Sequence, residues 1–429
     1  MTTSLHIKGG RVIDPANGVD EVRDLFVTDG ILVEEKPDHA EVIDASGKVV
    51  TPGLIDIHVH FREPGQSHKE TIATGSRCAA AGGFTTVVCM PNTSPVADST
   101  ATIGWIQERA AATACVNVFC TGAITRGLGG EEMAPIGALA AAGVVALTDD
   151  GRCVQNHGVM RRAVEYAKQF GLPLMDHCQE ATLSADGVMN EGEWSTRLGL
   201  PGWPSLAEDL IVSRNILLAE ETGHPIHCQH ISSARSVRLL REARRRGVPI
   251  TAEACPHHIS LTDEGLKTFD SNFKVNPPLR TPADIDEIIA GIADGTITIL
   301  ASDHAPHAPY EKEVELDQAP FGMLGLETEL AVFLEILLHQ RKALSLPEII
   351  ALLTINPAKL LRLDRGTLSN GAPADITILD PGHAWTYDKN DSASLSRNSP
   401  FHGMSLRGRA LVTIVGGKTV WDLESGFRS

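Results

Sequence analysis

Positive charge is scarce in this chain. Its 429 residues hold 37 Lys and Arg against 54 Asp and Glu, a formal net charge of −17. A nucleic-acid footprint or an anionic membrane surface needs concentrated basic side chains, so both are excluded as partners. An anionic small molecule would have to meet positive charge supplied locally. Long apolar runs are missing as well. No stretch approaches the roughly 20 residues of a membrane span, and the opening Met-Thr-Thr-Ser-Leu-His-Ile-Lys has no apolar signal core. A cytoplasmic location is expected. No Cys-x-x-Cys occurs among the eight cysteines, and Cys89, Cys120, Cys178, Cys228 and Cys255 lie in apolar stretches. They read as reduced, buried small hydrophobes. Low-complexity tracts, internal repeats and long charged linkers are also absent.

The hydrophobic content of 42% is ordinary for a globular protein, and the length suits one large barrel with a smaller domain. Residues 1–52 read as short strands punctuated by Gly, Asn and Asp, and residues 366–429 read the same way. Chain termini often lie close together, so the two ends are expected to combine into one small β-sandwich. Between them, apolar strand signals begin near residues 54, 84, 116, 144, 173, 225, 249 and 296 and alternate with segments rich in Ala, Leu, Glu and Arg. Eight apolar strands joined by helices predict a closed (β/α)₈ barrel over 53–365, with an open doubly wound sheet as the alternative. Two further helical segments, 324–341 and 347–361, are expected to cover the barrel.

The barrel would place its active site at the C-terminal ends of its strands. Polar residues gather there. The first strand runs into Asp56-Ile57-His58-Val59-His60-Phe61-Arg62-Glu63-Pro64-Gly65, and simple alternation puts Asp56, His58, His60 and Arg62 on one face. Later strands end in Asn92, in Asp149-Asp150, in His177, in His230, in His257-His258 and in Asp303-His304. Four histidines and two aspartates converging on one axis are the nitrogen and oxygen donors of a paired divalent site, with zinc the best match. Alternation does not choose between Asp149 and Asp150, and an Asp after a strand is often only a turn or cap residue.

These motifs resemble the bacterial class I dihydroorotases of the amidohydrolase superfamily along nearly the whole chain. The residues that carry the resemblance are Asp-x-His-x-His-x-Arg-Glu-Pro-Gly at 56–65, Met-Pro-Asn-Thr at 90–93 and Asp-Asp-Gly at 149–151. His177, His230, Asn276-Pro277-Pro278-Leu279-Arg280 and Ser-Asp-His-Ala-Pro-His at 302–307 complete them. The resemblance implies two Zn²⁺ per subunit, one on His58, His60 and Asp303 and the other on His177 and His230, with Asp150 as the bridge. It implies substrate contacts from His60, Arg62, Asn92, Asn276, His307, Phe321 and Gly322, and Asp303 as catalytic acid and base for a zinc-activated hydroxide. The activity implied is reversible cyclisation of N-carbamoyl-L-aspartate to L-dihydroorotate in pyrimidine biosynthesis. Homo-oligomers and association with aspartate transcarbamoylase are compatible with it.

Hydantoinases and allantoinases carry a carbamylated lysine at the bridge, and the fourth strand here has no lysine. That departure, with Arg62 and Asn92, disfavours a neutral cyclic amide as substrate. An inactive scaffold of transcarbamoylase should have lost ligands, and none is missing. Residues 306–326, rich in Pro, Gly and charge, are expected to form a loop over the site.

Overall fold

The computed structural model describes residues 4–428. Eight strands form its central sheet: Leu54–Val59, Phe84–Cys89, Asn117–Gly122, Ala146–Leu147, Leu174–Asp176, Ile226–Cys228, Ile250–Ala254 and Ile299–Leu300. Each is paired in parallel with its neighbours in chain order. A parallel bridge between Val59 and His304 closes the ring, and the His60 N–H donates to the His304 carbonyl at 2.9 Å. Sequential order without a reversal point, plus closure, makes this a barrel and excludes the open alternative. The ladders are shorter than the apolar runs. In the fourth strand only Ala146 and Leu147 pair, because Thr148–Asp150 leaves the sheet at the site.

Helices cover the outside. In Ala234–Arg245 the apolar residues Val237, Leu240 and Ala243 recur every third position and are buried, while Arg235, Arg238 and Arg245 face outward. Ser233 caps it by accepting from the Arg235 N–H. The segment expected as one helix over 324–341 begins as Leu326–Phe333 and widens to a π-helix over Leu334–Gln340. No helix among the described residues is long and apolar enough to cross a membrane.

Inside the ring, Ile55, Ile57, Val88, Met90, Ala146, Met175, Ile299 and Ala301 form one apolar cluster, joined by Ala358 and Leu361 of the helix Ile355–Leu361. That helix sits at the N-terminal end of the strands, where Asn356 donates to the Thr298 carbonyl just before strand eight. The first strand departs from simple alternation. Asp56 pairs with Val87 and Val59 with Cys89, so three steps on strand one match two on strand two. This bulge lets Ile57 face the interior cluster and still aims His58 at the site. Asp56 therefore does not share the histidines' face. It accepts from the Ser302 side chain and backbone and from the His58 N–H.

The chain ends meet as expected. Strands Ser4–Asp14, Val19–Thr28, Ile31–Val33, Glu41–Asp44 and Val49–Pro52 join Ile376–Thr386, Ser405–Val415, Lys418–Asp422 and Gly426–Phe427 in one nine-stranded sheet. The seam is the antiparallel pairing of Val49–Pro52 with Ile376–Leu379. The sheet curls until its far parts touch, with Leu32 N–H on the Ala372 carbonyl and Gly417 N–H on the Ala374 carbonyl. A Cβ at Gly30, whose φ is +79, would meet the Gly416 carbonyl oxygen at 2.8 Å, so only glycine fits. Leu5, Ile7, Val27, Leu32, Ile376 and Ile414 fill the curl.

Candidate metal centre

Six buried side chains from strand ends one, four, five, six and eight converge on one volume. His58 Nε2 lies 3.4 Å from Asp150 Oδ1 and 3.5 Å from Asp303 Oδ1. His60 Nε2 lies 3.1 Å from Asp303 Oδ1 and 3.5 Å from Asp150 Oδ2. His177 Nδ1 and His230 Nε2 are 3.6 and 3.8 Å from Asp150 Oδ1, and 2.8 Å from each other. Asp150 thus faces all four imidazoles. Its neighbour Asp149 turns the other way and accepts from the Ile124 and Thr125 N–H groups, at 2.8 and 3.0 Å, and from the Thr125 hydroxyl.

Two overlapping triads, His58–His60–Asp303 and His58–Asp150–His230, have donor atoms close enough to hold a metal ion. His58 Nε2 is buried without a hydrogen-bond partner, which a cation would relieve. Burial raises the Asp150 and Asp303 carboxyls, but the His58 charge and the surrounding imidazoles outweigh it and hold both below the usual carboxylate range. Deprotonated carboxylates among imidazoles are the donor set a divalent ion requires.

The far sides of three of the four rings are also engaged. Glu253, fully buried in strand seven, accepts from His58 Nδ1 at 2.6 Å and lies 3.0 Å from His227 Nε2. Burial pushes its carboxyl up, yet the His58 charge and the bonds from His227 and His58 bring it down to about 2. Asn92 Oδ1 is 2.9 Å from His60 Nδ1, and Gln179 Oε1 is 2.8 Å from His177 Nε2. Such partners fix tautomer and ring orientation. Sequence reasoning missed Glu253 and Gln179. Glu253 lies within its strand, so a search of strand ends passes over it, although a lone Glu in Ile-Thr-Ala-Glu-Ala is itself a signal.

The remaining candidates line the approach. Arg62, at φ +58, donates from Nε to the Pro306 carbonyl at 3.1 Å, with Nη2 3.4 Å from His307 Nε2. Burial lowers its guanidinium to about 10 against the pull of Asp303 and Asp150, so it stays cationic at neutral pH. His307 donates from Nε2 to the Phe321 carbonyl at 2.8 Å. Asn276 donates to Gln179 Oε1 at 3.1 Å, and its own Oδ1 is buried without a partner. The Gly322 N–H is committed to the Lys274 carbonyl at 2.9 Å, while its carbonyl receives the Lys312 ammonium at 3.0 Å. Arg62, His60 and Asn92 therefore stand together at the cage, and His307 and Phe321 join them through the 306–322 segment. His230 and Asp303 share Arg62's left-handed backbone, at φ +32 and +48. Non-glycine residues pay roughly 1–3 kcal/mol for such conformations, which cluster at working sites.

The Cys178 thiol points away from the cage, toward the Asp176 carbonyl and the Asn215 amide. This is the opposite face from His177, as alternation requires.

A Dihydro-orotase-like family model matches residues 47–236, and an Amidohydrolase family model matches residues 218–421. A dihydroorotase of Citrifermentans bemidjiense is 50% identical over 424 residues, covering 98% of this chain and all of that protein. One from Pelotomaculum thermopropionicum is 51% identical over 420 residues, 97% of this chain and 98% of the relative. Among solved structures, an L-hydantoinase from Arthrobacter aurescens superposes with a TM-score of 0.86 at 26% identity, over 98% of this chain and 96% of its own. A dihydropyrimidinase from Brevibacillus agri gives 0.86 at 22% identity over 97% and 95%, which speaks to the fold alone. With half its residues shared along essentially the full length of such relatives, the chain belongs to the dihydroorotase family of the amidohydrolases.

Proposed function

We propose that this cyclic amide hydrolase interconverts N-carbamoyl-L-aspartate and L-dihydroorotate, the ring-closing step of pyrimidine biosynthesis, with two zinc ions held by His58, His60, Asp150, His177, His230 and Asp303. The catalytic unit is 53–365, and 1–52 with 366–429 make up the small β domain. The observation that carries the reading is Asp150, whose carboxylate lies 3.4–3.8 Å from a nitrogen of each of four imidazoles. It stands where hydantoinase-like relatives would need a modified lysine.

Zinc bound there would polarise the amide carbonyl and lower the pKa of water from 15.7 toward about 7. Asp303, ionised and 3.1 Å from His60, would move the proton. In ring opening it takes a proton from the attacking water and delivers it to the amide nitrogen as the C–N bond breaks. Ring closure reverses the path. Arg62 pairs its fork with the substrate carboxylate and so supplies positive charge locally in a protein of net charge −17. Asn92, His60, Asn276, His307 and the Phe321–Gly322 backbone complete the substrate's surroundings. For Gly322 a shifted loop must serve, since its N–H and its carbonyl are both already engaged.

The test combines metal analysis with assays in both directions. Chelation should abolish turnover, and zinc should restore it without bicarbonate, since no lysine needs carbamylation. A fully active metal-free protein, or preference for a neutral cyclic amide such as hydantoin, would overturn the reading.

A further inference from the structure

Cys255 follows the last residue of strand seven, Ala254, and leads into the one-turn helix Pro256–Ser260 that carries His257 and His258. None of the three belongs to the six-residue cage, and among the described residues no hydrogen bond joins either histidine to it. The thiol sulfur and one nitrogen from each ring lie within 4.8 Å of one another. The three side chains are only 0, 1 and 2% exposed, in that order.

The polar atoms here are unsatisfied. Both nitrogens of His257 and Nδ1 of His258 are buried with no hydrogen-bond partner. A neutral imidazole offers one donor and one acceptor in either tautomer, and leaving them unpaired in the interior costs their full desolvation. His258 is oriented as well. Its Nε2 lies 3.0 Å from the Pro277 carbonyl, which can only accept, so Nε2 carries the proton and Nδ1 the free lone pair. A ring held through one nitrogen by a carbonyl, with its other nitrogen bare, is the arrangement that prepares histidine for a metal.

We propose that Cys255, His257 and His258 form a separate metal site, outside the histidine–aspartate cage, that takes a borderline-soft ion of the zinc class. One sulfur and two imidazole nitrogens suit Zn²⁺, Co²⁺ or Cd²⁺, and the lack of carboxylate oxygen disfavours Mg²⁺ and Ca²⁺. Burial, with the Asp303 and Glu253 carboxylates, pushes the Cys255 thiol well above its ordinary range. The thiol is therefore protonated without an ion. Binding forms the sulfur–metal bond as the S–H proton leaves to buffer, while both imidazoles bind neutral, so one proton is released per ion. The ion would tie the end of strand seven to Pro277 through His258, and Pro277 adjoins Asn276. Its mechanical effect falls on that side of the substrate pocket.

Cobalt distinguishes this site from the cage, whose donors are all nitrogen and oxygen. Full-length protein stripped of metal would be titrated with Co²⁺ and followed in the near ultraviolet, where thiolate-to-cobalt charge transfer absorbs. The expected result is such a band, saturating at one sulfur-bound ion per chain. It should vanish in Cys255→Ser with loss of one bound cobalt per chain, and His257→Asn should weaken its affinity by about tenfold or more. A wild-type protein that shows no band at saturating cobalt overturns the proposal without recourse to any variant. An undiminished band in Cys255→Ser overturns it too, by assigning the sulfur elsewhere. Cobalt held by the cage is counted independently as sulfur-free ion, so failure of the cage reading would be recognised separately.

Discussion

The two ends of the barrel are built on opposite terms. At the N-terminal end, Ile55, Met175, Ile299, Ala358 and Leu361 form a wholly apolar cluster. At the C-terminal end, six ionisable side chains crowd together, and Arg62, His230 and Asp303 hold left-handed backbone. Crowded charge and strained dihedrals both oppose folding. They persist because the ring below is packed and closed. The contrast predicts that substitutions at one end should alter stability with little effect on chemistry, and those at the other should do the reverse.

The strongest challenge to that division is Asp303→Asn. The change keeps shape and one oxygen but removes the group proposed to carry the proton, so kcat should fall by roughly 10²–10⁴-fold. Thermal stability should hardly move, and metal content should fall less than turnover. Near wild-type turnover on dihydroorotate would reject the assignment. At the other end, Leu361→Ala removes a side chain only 4% exposed from the interior cluster. Unfolding free energy should drop by about 2–5 kcal/mol. Turnover per folded molecule should stay close to wild type, and a parallel loss of kcat would show that the two ends are mechanically coupled.

Much of this division is legible in the sequence. Eight apolar runs mark the strands, because a parallel strand buried on both faces needs no alternation. Polar residues after those runs mark the site. What escapes is whatever depends on a partner strand. The bulge at Asp56–Val59 arises from a mismatch with Val87–Cys89, so alternation along strand one alone wrongly grouped Asp56 with the histidines. Which of Asp149 and Asp150 turns inward depends on whether the 124–125 amides offer an alternative partner, and they take Asp149. Glu253 is hidden for a related reason: its value lies in reaching His58, 195 residues away.

Arg62→Met sharpens the comparison within the open end, separating substrate choice from the metal cage. Arg62 bonds the Pro306 carbonyl and none of the six cage residues, so metal content should be preserved. A charge-assisted contact is worth roughly 1.5–3 kcal/mol. The predicted loss in kcat/KM for dihydroorotate is therefore about 10–150-fold, against little change for dihydrouracil, which lacks the carboxylate. Equal losses on both substrates would place Arg62 in the architecture of the mouth and return the hydantoinase-like reading to consideration.

Glu253→Gln probes the boundary between the two ends. Glu253 lies in the strand wall, one residue from its end, and touches the site only through His58, His227 and the His230 N–H. Glutamine preserves volume and one acceptor oxygen but removes the negative charge that favours His58 as a ligand. Support of this kind typically contributes 10–100-fold in metal affinity. Zinc should therefore bind about 10–100-fold more weakly, and kcat should recover when zinc is raised to saturation, because none of the groups proposed to touch substrate has changed. A kcat that stays low at saturating zinc would move Glu253 from supporting the cage to shaping the reaction itself, and the line between the two ends would have to be drawn below strand seven's Glu253.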